Sequence, residues 1–387
     1  MRNTLSIWTL LAAVMTIGVT AHAVPIVPQR DDEVIDVLPA VKGGRADERR
    51  LRQQLAQHPR DDVLALAVAQ RYLDQAHELG DPRFAGMAMS AISGWTDEAS
   101  TPDTVLLMRA TLQQYLHEFD AAAASLQRLV GRANGTPQPQ AWLTLATVRR
   151  VQGRYADSDA ACRQVGHAGA ALHAQACLAE NASLRGDAVR ARVAFQRLIG
   201  DTRQTNATRA WLTTSLAELE QRDGHADAAD AAFQAALKLA PDAYATLAYA
   251  DFLIEQRRPA QALLVLKDQV RSDAVLLRLA IAGKQVGAPS AAADAAEMRE
   301  RIALANERPD AQVFHGREQA MFALWVERDA SRAWQLARVN AAHQREPLDL
   351  LVLAQAARAQ GDPASLQEAK RLTAEIGLRD IRAEGVL

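Results

Sequence analysis

Aromatic residues are scarce in this chain: phenylalanine, tryptophan and tyrosine together make up 5% of 387 residues, and cysteine occurs twice. Strands draw on aromatic and β-branched side chains, so an all-β sandwich or barrel is disfavoured. No charge of one sign dominates, with a formal net charge of −2 and a pI near 6.5. That removes the basic footprint a nucleic-acid binder needs. After the N-terminal segment no apolar run is long enough to cross a bilayer. Catalytic signatures are missing as well: there is no Gly-x-Ser-x-Gly elbow, no Walker loop and no Gly-x-Gly-x-x-Gly turn. The nine histidines are scattered without i, i+4 pairs, and the two cysteines lack metal-ligand or redox spacing. No catalytic residue, metal or cofactor is expected, and the chain is not expected to be an enzyme.

What is present is 49% hydrophobic residue, carried mostly by alanine and leucine, beside 23% charged residue. Alanine is the best helix former, and the balance argues against wholesale disorder. Residues 1–23 read as a secretory signal peptide. Arg2 opens it, an apolar stretch runs from Leu5 to Val19, and Ala21-His22-Ala23 supplies the small-residue cleavage site. The alternative is an uncleaved anchor; the cleavage site followed by Pro25 and Pro28 favours removal. The expected location is therefore the periplasm or the exterior. Residues 24–46, with Pro25, Pro28, Pro39, Asp31-Asp32-Glu33 and Gly43-Gly44, read as a spacer or as a strap that docks through Val34, Ile35, Val37 and Leu38. A second linker, Arg132–Gln140, is marked by Gly135, Pro137 and Pro139.

From about Asp47 to the end one unit repeats. With Gly224 as a turn marker, Leu216 and Ala217 stand eight and seven residues before it, and Ala229, Phe233 and Ala236 follow at five, nine and twelve. The same ruler laid on Gly186 finds Leu178, Ala179, Ala191, Phe195 and Leu198; on Gly153 it finds Leu145, Ala146, Ser158, Cys162 and Val165. Gly80 gives Tyr72, Leu73, Ala85, Met89 and Ile92, and the pattern recurs without glycine at His117 and Arg257. Weaker copies centre on Gly287, Arg328 and Gly361, and successive markers lie between 30 and 41 residues apart. Offsets of three, four and seven put the named residues on one helix face. Two such helices joined at a left-handed residue make an antiparallel hairpin, and a hairpin buries its apolar face only by stacking on the next.

On these residues, with Trp142, Tyr155 and Pro241, the sequence resembles the tetratricopeptide repeat family. The resemblance implies an all-α, right-handed superhelical solenoid of antiparallel helix hairpins over residues 47–387. It also implies a role in holding protein or peptide partners along a concave groove. Arg149 and Glu220 depart from the family, which commonly has an aromatic there.

Residues of the first helices that point away from the packed face are the groove candidates: Thr111, Gln114, Thr147, Arg150, Glu180, Trp211, Glu218, Tyr244 and Asp251. Trp211 and Tyr244 read either as partner anchors or as packing between repeats. Glu218 and Asp251 could meet across neighbouring helices as an acid pair, although groove-lining charge is the commoner use of such residues. Leu107, Thr111, Leu143 and Thr147 stand where family members that clamp a peptide carboxylate carry lysine and asparagine, so that clamp is not supported. Arg49-Arg50, Arg149-Arg150 and Arg257-Arg258 read as solvated helix ends, and His117-Glu118 as exposed turn polarity. Cys162 and Cys177 either pair across neighbouring helices or sit reduced as small buried residues. The three Asn-x-Ser/Thr triplets, at Asn134, Asn181 and Asn206, read as chance matches. The partner expected is a protein or peptide, with no nucleic acid and no stable membrane span after cleavage. An accessory subunit of an envelope export or polymer-handling machine, with a glycan-binding or weak enzymatic role, is the alternative.

Overall fold

A computed structural model describes residues 45–96, 100–132, 138–307 and 316–387. Residues 1–44, which hold the expected signal peptide and nearly all of the expected spacer, lie outside the described residues, as does Asn134. Residues 46–387 form one compact unit. Among the described residues there are twenty helices and no strand. None of these helices is long and apolar enough to cross a membrane.

A first helix, α1 (Arg45–Gln57), precedes nine hairpins. They are α2–α3 (Asp62–Leu79, Pro82–Ala91), α4–α5 (Asp103–Tyr115, Phe119–Gly131), α6–α7 (Pro139–Val151, Tyr155–His167), α8–α9 (Ala171–Leu184, Ala188–Ile199) and α10–α11 (Asn206–Arg222, Ala226–Leu239). Then follow α12–α13 (Ala243–Glu255, Pro259–Leu266), α14–α15 (Asp273–Val286, Ala291–Asn306), α16–α17 (Gly316–Met321, Ala330–His343) and α18–α19 (Pro347–Gln360, Pro363–Ile376). A one-turn α20 (Ile381–Glu384) ends the chain, and α16 runs on into a π-helical turn over Phe322–Glu327. Two boundaries differ from the sequence reading. Helix α1 starts at Arg45, inside the expected spacer, and α6 starts at Pro139, inside the expected second linker. Proline is suited to a first helical position because its missing N–H has no intrahelical partner there.

All nine turn markers adopt the left-handed conformation, with φ between 57° and 91°. The three without glycine, His117, Arg257 and Arg328, are the only non-glycine residues with positive φ among the described residues. The ruler positions beside them are buried. Ala146, Ala191, Ala217 and Ala229 are each fully covered where helices touch, and Phe195 and Phe233 fill the space beside them. Cys162 on α7 and Cys177 on α8 are joined by a disulfide with Cα atoms 5.8 Å apart, which staples two neighbouring hairpins.

The repeats after Gly287 account for the drift of the pattern. The largest core cluster joins α14 through α19 to Tyr155 and Leu184, residues on the inner side of the earlier hairpins. The stack thus curls back on itself. The backbone N–H of Arg345 donates to Val151 O at 2.7 Å, and that of Arg379 donates to Leu184 O at 2.8 Å. Arg382 reaches Glu255 with both bonds at 3.0 Å. The open groove expected from the repeat pattern is therefore covered in part by the chain's own C-terminal helices. The reason is physical: offsets within one repeat encode nearest-neighbour packing, whereas curvature accumulates over the whole array.

Candidate functional site

Two of the cavities that the closure leaves among the described residues concern the groove candidates. The larger, about 930 Å³, lies among α2–α5 and is roofed by Asp273, Ala305, Glu318 and Glu346. The smaller, about 250 Å³, is lined by the inner ends of α6, α8, α10 and α12 and by the C-terminal helices. Ala274, Glu318 and Glu346 line both, so the two adjoin.

Five groove candidates meet on the wall of the smaller cavity: Arg150, Glu180, Glu218, Tyr244 and Asp251. Thr111 and Gln114 line the larger one, and Thr147 and Trp211 line neither. Thr111 and Thr147 turn their hydroxyls back to Leu107 O and Leu143 O, at 2.9 and 3.1 Å. Trp211 is 38% exposed and stacks on His173, with ring centroids 5.9 Å apart, so packing between repeats and exposure coexist in it. Glu218 and Asp251 do not pair with each other. Glu218 accepts from the Tyr244 hydroxyl at 2.6 Å, and Asp251 takes a two-point contact from Arg278 at 2.8 and 2.6 Å.

Two other expectations are corrected. Arg149-Arg150 is no solvated helix end: Arg149 is buried and donates to Gln152, and Arg150 bridges α6 to Glu180 on α8 at 3.0 Å. His117 and Glu118 are half-buried and line the larger cavity. The two departures from the family carry inter-hairpin polar links where an aromatic would pack. Gln152, held by Arg149, reaches Asp120 at 2.7 Å, and buried Glu220 takes the Arg192 guanidinium at 2.6 and 2.8 Å. Asn181 is fully buried against Ser158, which suits a chance triplet rather than a glycan acceptor.

The C-terminal half of the site was not found from sequence. Arg317 contacts Asp349 at 2.6 Å and also Glu346, and Arg382 spans Glu255 and Asp380. One signal was available. Two residues before the markers at Gly153, Gly186, Gly224 and Arg257 stand Val151, Leu184, Arg222 and Glu255, so along these four repeats the register passes from apolar to charged. Burial pushes the Glu255 carboxyl up against the pull of Arg382. It also pushes Glu218 up, with Arg222 pulling the other way. The Glu218 carboxylate lifts the Tyr244 phenol well above its ordinary value. Burial takes the Asp349 carboxyl up to about 6 even beside Arg317. Glu346 is opposed by burial, yet the same guanidinium holds it below its usual range.

No serine, threonine, cysteine, histidine or lysine lines the smaller cavity among the described residues. Its chemistry is that of fixed, mostly paired charge, suited to orienting a polar group. Elsewhere Glu220, Asp223 and His225 bring ligand atoms within 4.8 Å of one another, a donor set a metal would suit. The Arg192 guanidinium already sits among them, 2.8 Å from Asp223 and 3.1 Å from His225 Nδ1, and supplies the positive charge.

No family model matches the chain, and no curated protein matches it by sequence. Solved structures do match. A tetratricopeptide repeat protein from Parabacteroides merdae is 13% identical over 60% of this chain and 92% of that one, with a TM-score of 0.41. A Rap protein complexed with Competence and Sporulation Factor is 11% identical over 88% and 93%, with a TM-score of 0.48. Yeast Tom70 is 12% identical over 88% and 84%, with a TM-score of 0.42. With nine stacked hairpins turned at nine left-handed residues, the chain folds as a tetratricopeptide-like helical repeat protein.

Proposed function

We propose that the chain is an exported, non-catalytic scaffold that holds a protein or peptide partner in the cell envelope. Its signal peptide would be removed after Ala23, leaving residues 24–46 as a spacer ahead of the repeat array. The observation that carries the binding reading is the larger cavity. A cleft of about 930 Å³ lies between inner helix faces, with apolar walls at Leu73, Met87 and Phe119 and polar ones at Thr111, Gln114 and Glu118. Apolar area with a few placed polar groups is what recognition pockets share, and that volume takes several residues of an extended segment. The smaller cavity, already crossed by ion pairs, is the less suitable place for a chain. An accessory subunit of an export or polymer-handling machine is the second reading, and a glycan rather than a peptide in the same cavity would favour it.

The test places a photo-crosslinking residue at Gln114, and separately at exposed Tyr244, in cells that export the protein. A discrete adduct with one protein from position 114, absent from a Gly86→Trp variant that fills the cavity, is the expected result. Adducts only from Tyr244, or none dependent on the cavity, would overturn the choice of site. N-terminal sequencing of the envelope fraction checks the export reading, with Val24 expected as the first residue.

A further inference from the structure

Arginines on the wall of the smaller cavity are not all alike. Four have acid partners: Arg150 with Glu180, Arg278 with Asp251, Arg317 with Asp349, and Arg382 with Glu255. A fifth, Arg345, donates to the carbonyls of Ala341, Ala342 and Gln152. Arg222 differs. It is 8% exposed, its Nη2 donates to Ser183 Oγ at 2.9 Å, and its Nε has no partner. The acid four residues earlier on the same helix, Glu218, is instead engaged by Tyr244. Tyr155, close enough to feel the Arg222 charge, is 4% exposed and its hydroxyl has no partner either. Arg222 thus forms no direct ion pair among the described residues and feels Glu218 only through space. A buried guanidinium left short of hydrogen-bond partners is disfavoured, and a planar fork of N–H donors matches a carboxylate.

We propose that the smaller cavity binds a small carboxylate ligand, held by the Arg222 guanidinium with the Tyr155 hydroxyl as a further donor. About 250 Å³ suits a small organic acid or a free amino acid, and Leu184 and Leu247 offer apolar wall to its carbon skeleton. A single negative charge fits better than a dianion, because Glu180 and Glu218 stand on the same wall. A ligand that also carries an ammonium group would place it toward Glu218. This site is independent of the scaffold reading: it uses the other cavity and needs no partner protein.

Titration calorimetry on the purified, folded chain tests it with acetate, glycine, N-acetylglycine and inorganic phosphate. At least one of the three carboxylates is expected to bind. Arg222→Met should weaken that binding about tenfold or more, and Tyr155→Phe should weaken it several-fold. Glycine binding better than acetate and N-acetylglycine identifies the free amino acid as the source. Equal binding of all three identifies the carboxylate alone. A thermal melt without ligand separates recognition from structure: Arg222→Met should melt at or above the parent temperature, because it removes a buried guanidinium that has no direct ion pair and an unpartnered Nε. Binding of none of the three carboxylates, preference for phosphate, unchanged affinity in both variants, or loss of the fold in Arg222→Met would each overturn the proposal.

Discussion

His117, Arg257 and Arg328 hold a conformation that side chains with a Cβ rarely adopt, with φ of 61°, 57° and 64°. They do so because the hairpin geometry requires a left-handed residue at that point, whatever the sequence offers. Arg257 and Arg328 are exposed, so glycine there loses no packing. Arg257→Gly and Arg328→Gly are each expected to stabilise the fold by about 1 kcal/mol, read from urea denaturation midpoints. His77 makes the matching case for charge. Partial desolvation, with the Tyr115 ring centroid 5.0 Å away, lowers its pKa against the opposing pull of Asp74. A base whose folded pKa is depressed costs stability as pH falls through its unfolded value, near 6.5 for histidine. His77→Phe keeps the ring and removes the titration. The stability gap between parent and variant should therefore shift in favour of the variant between pH 7.5 and pH 5.

The hairpin was the most legible element. Small residues beside each turn marker and a large one nine residues after it report helix contact directly, and Ala217, Ala229 and Phe233 are fully buried as that spacing requires. The pairing of α7 with α8 through Cys162 and Cys177 needed coordinates, because two cysteines 15 residues apart fit buried helix positions whether bonded or not. Closing a loop of that length is worth about 3 kcal/mol. The double variant Cys162→Ser, Cys177→Ser is expected to lose about 2–3 kcal/mol, and a reducing agent should impose a similar loss on the parent and none on the variant. Illegible in the sequence was the docking of the C-terminal segment across earlier turns. Gly224 and Gly287 both have positive φ, yet only at Gly224 would an added Cβ run into another element, the Ile381 side chain. The half-exposed Ile381 tip can swing aside in part, so Gly224→Ala should cost more stability than Gly287→Ala by about 0.5 kcal/mol. Ile381→Ala in the same chain should remove most of that difference. Equal costs at the two glycines would place Ile381 elsewhere.

At the scale of the whole molecule, repeat spacing foretold a stack but not its return. A sequence window of one or two repeats holds nothing about residues more than a hundred positions apart, yet Arg345 meets Val151, Arg379 meets Leu184 and Arg382 meets Glu255. That return breaks a concave face into separate cavities and gives most groove acids and arginines an internal partner. It also decides where a ligand fits: the smaller cavity keeps one unsatisfied guanidinium, and the larger keeps the room. The claim beneath all of this is that the C-terminal helices lie against the inner ends of the earlier hairpins. A double-mutant cycle on Glu255→Gln and Arg382→Met, read by urea denaturation of the folded chain, tests it most directly. The two residues are 127 positions apart, and their side chains are 21% and 18% exposed. Contact between them is expected to give a coupling energy of about 1–3 kcal/mol. Effects that add to within about 0.5 kcal/mol would contradict the closure of the stack.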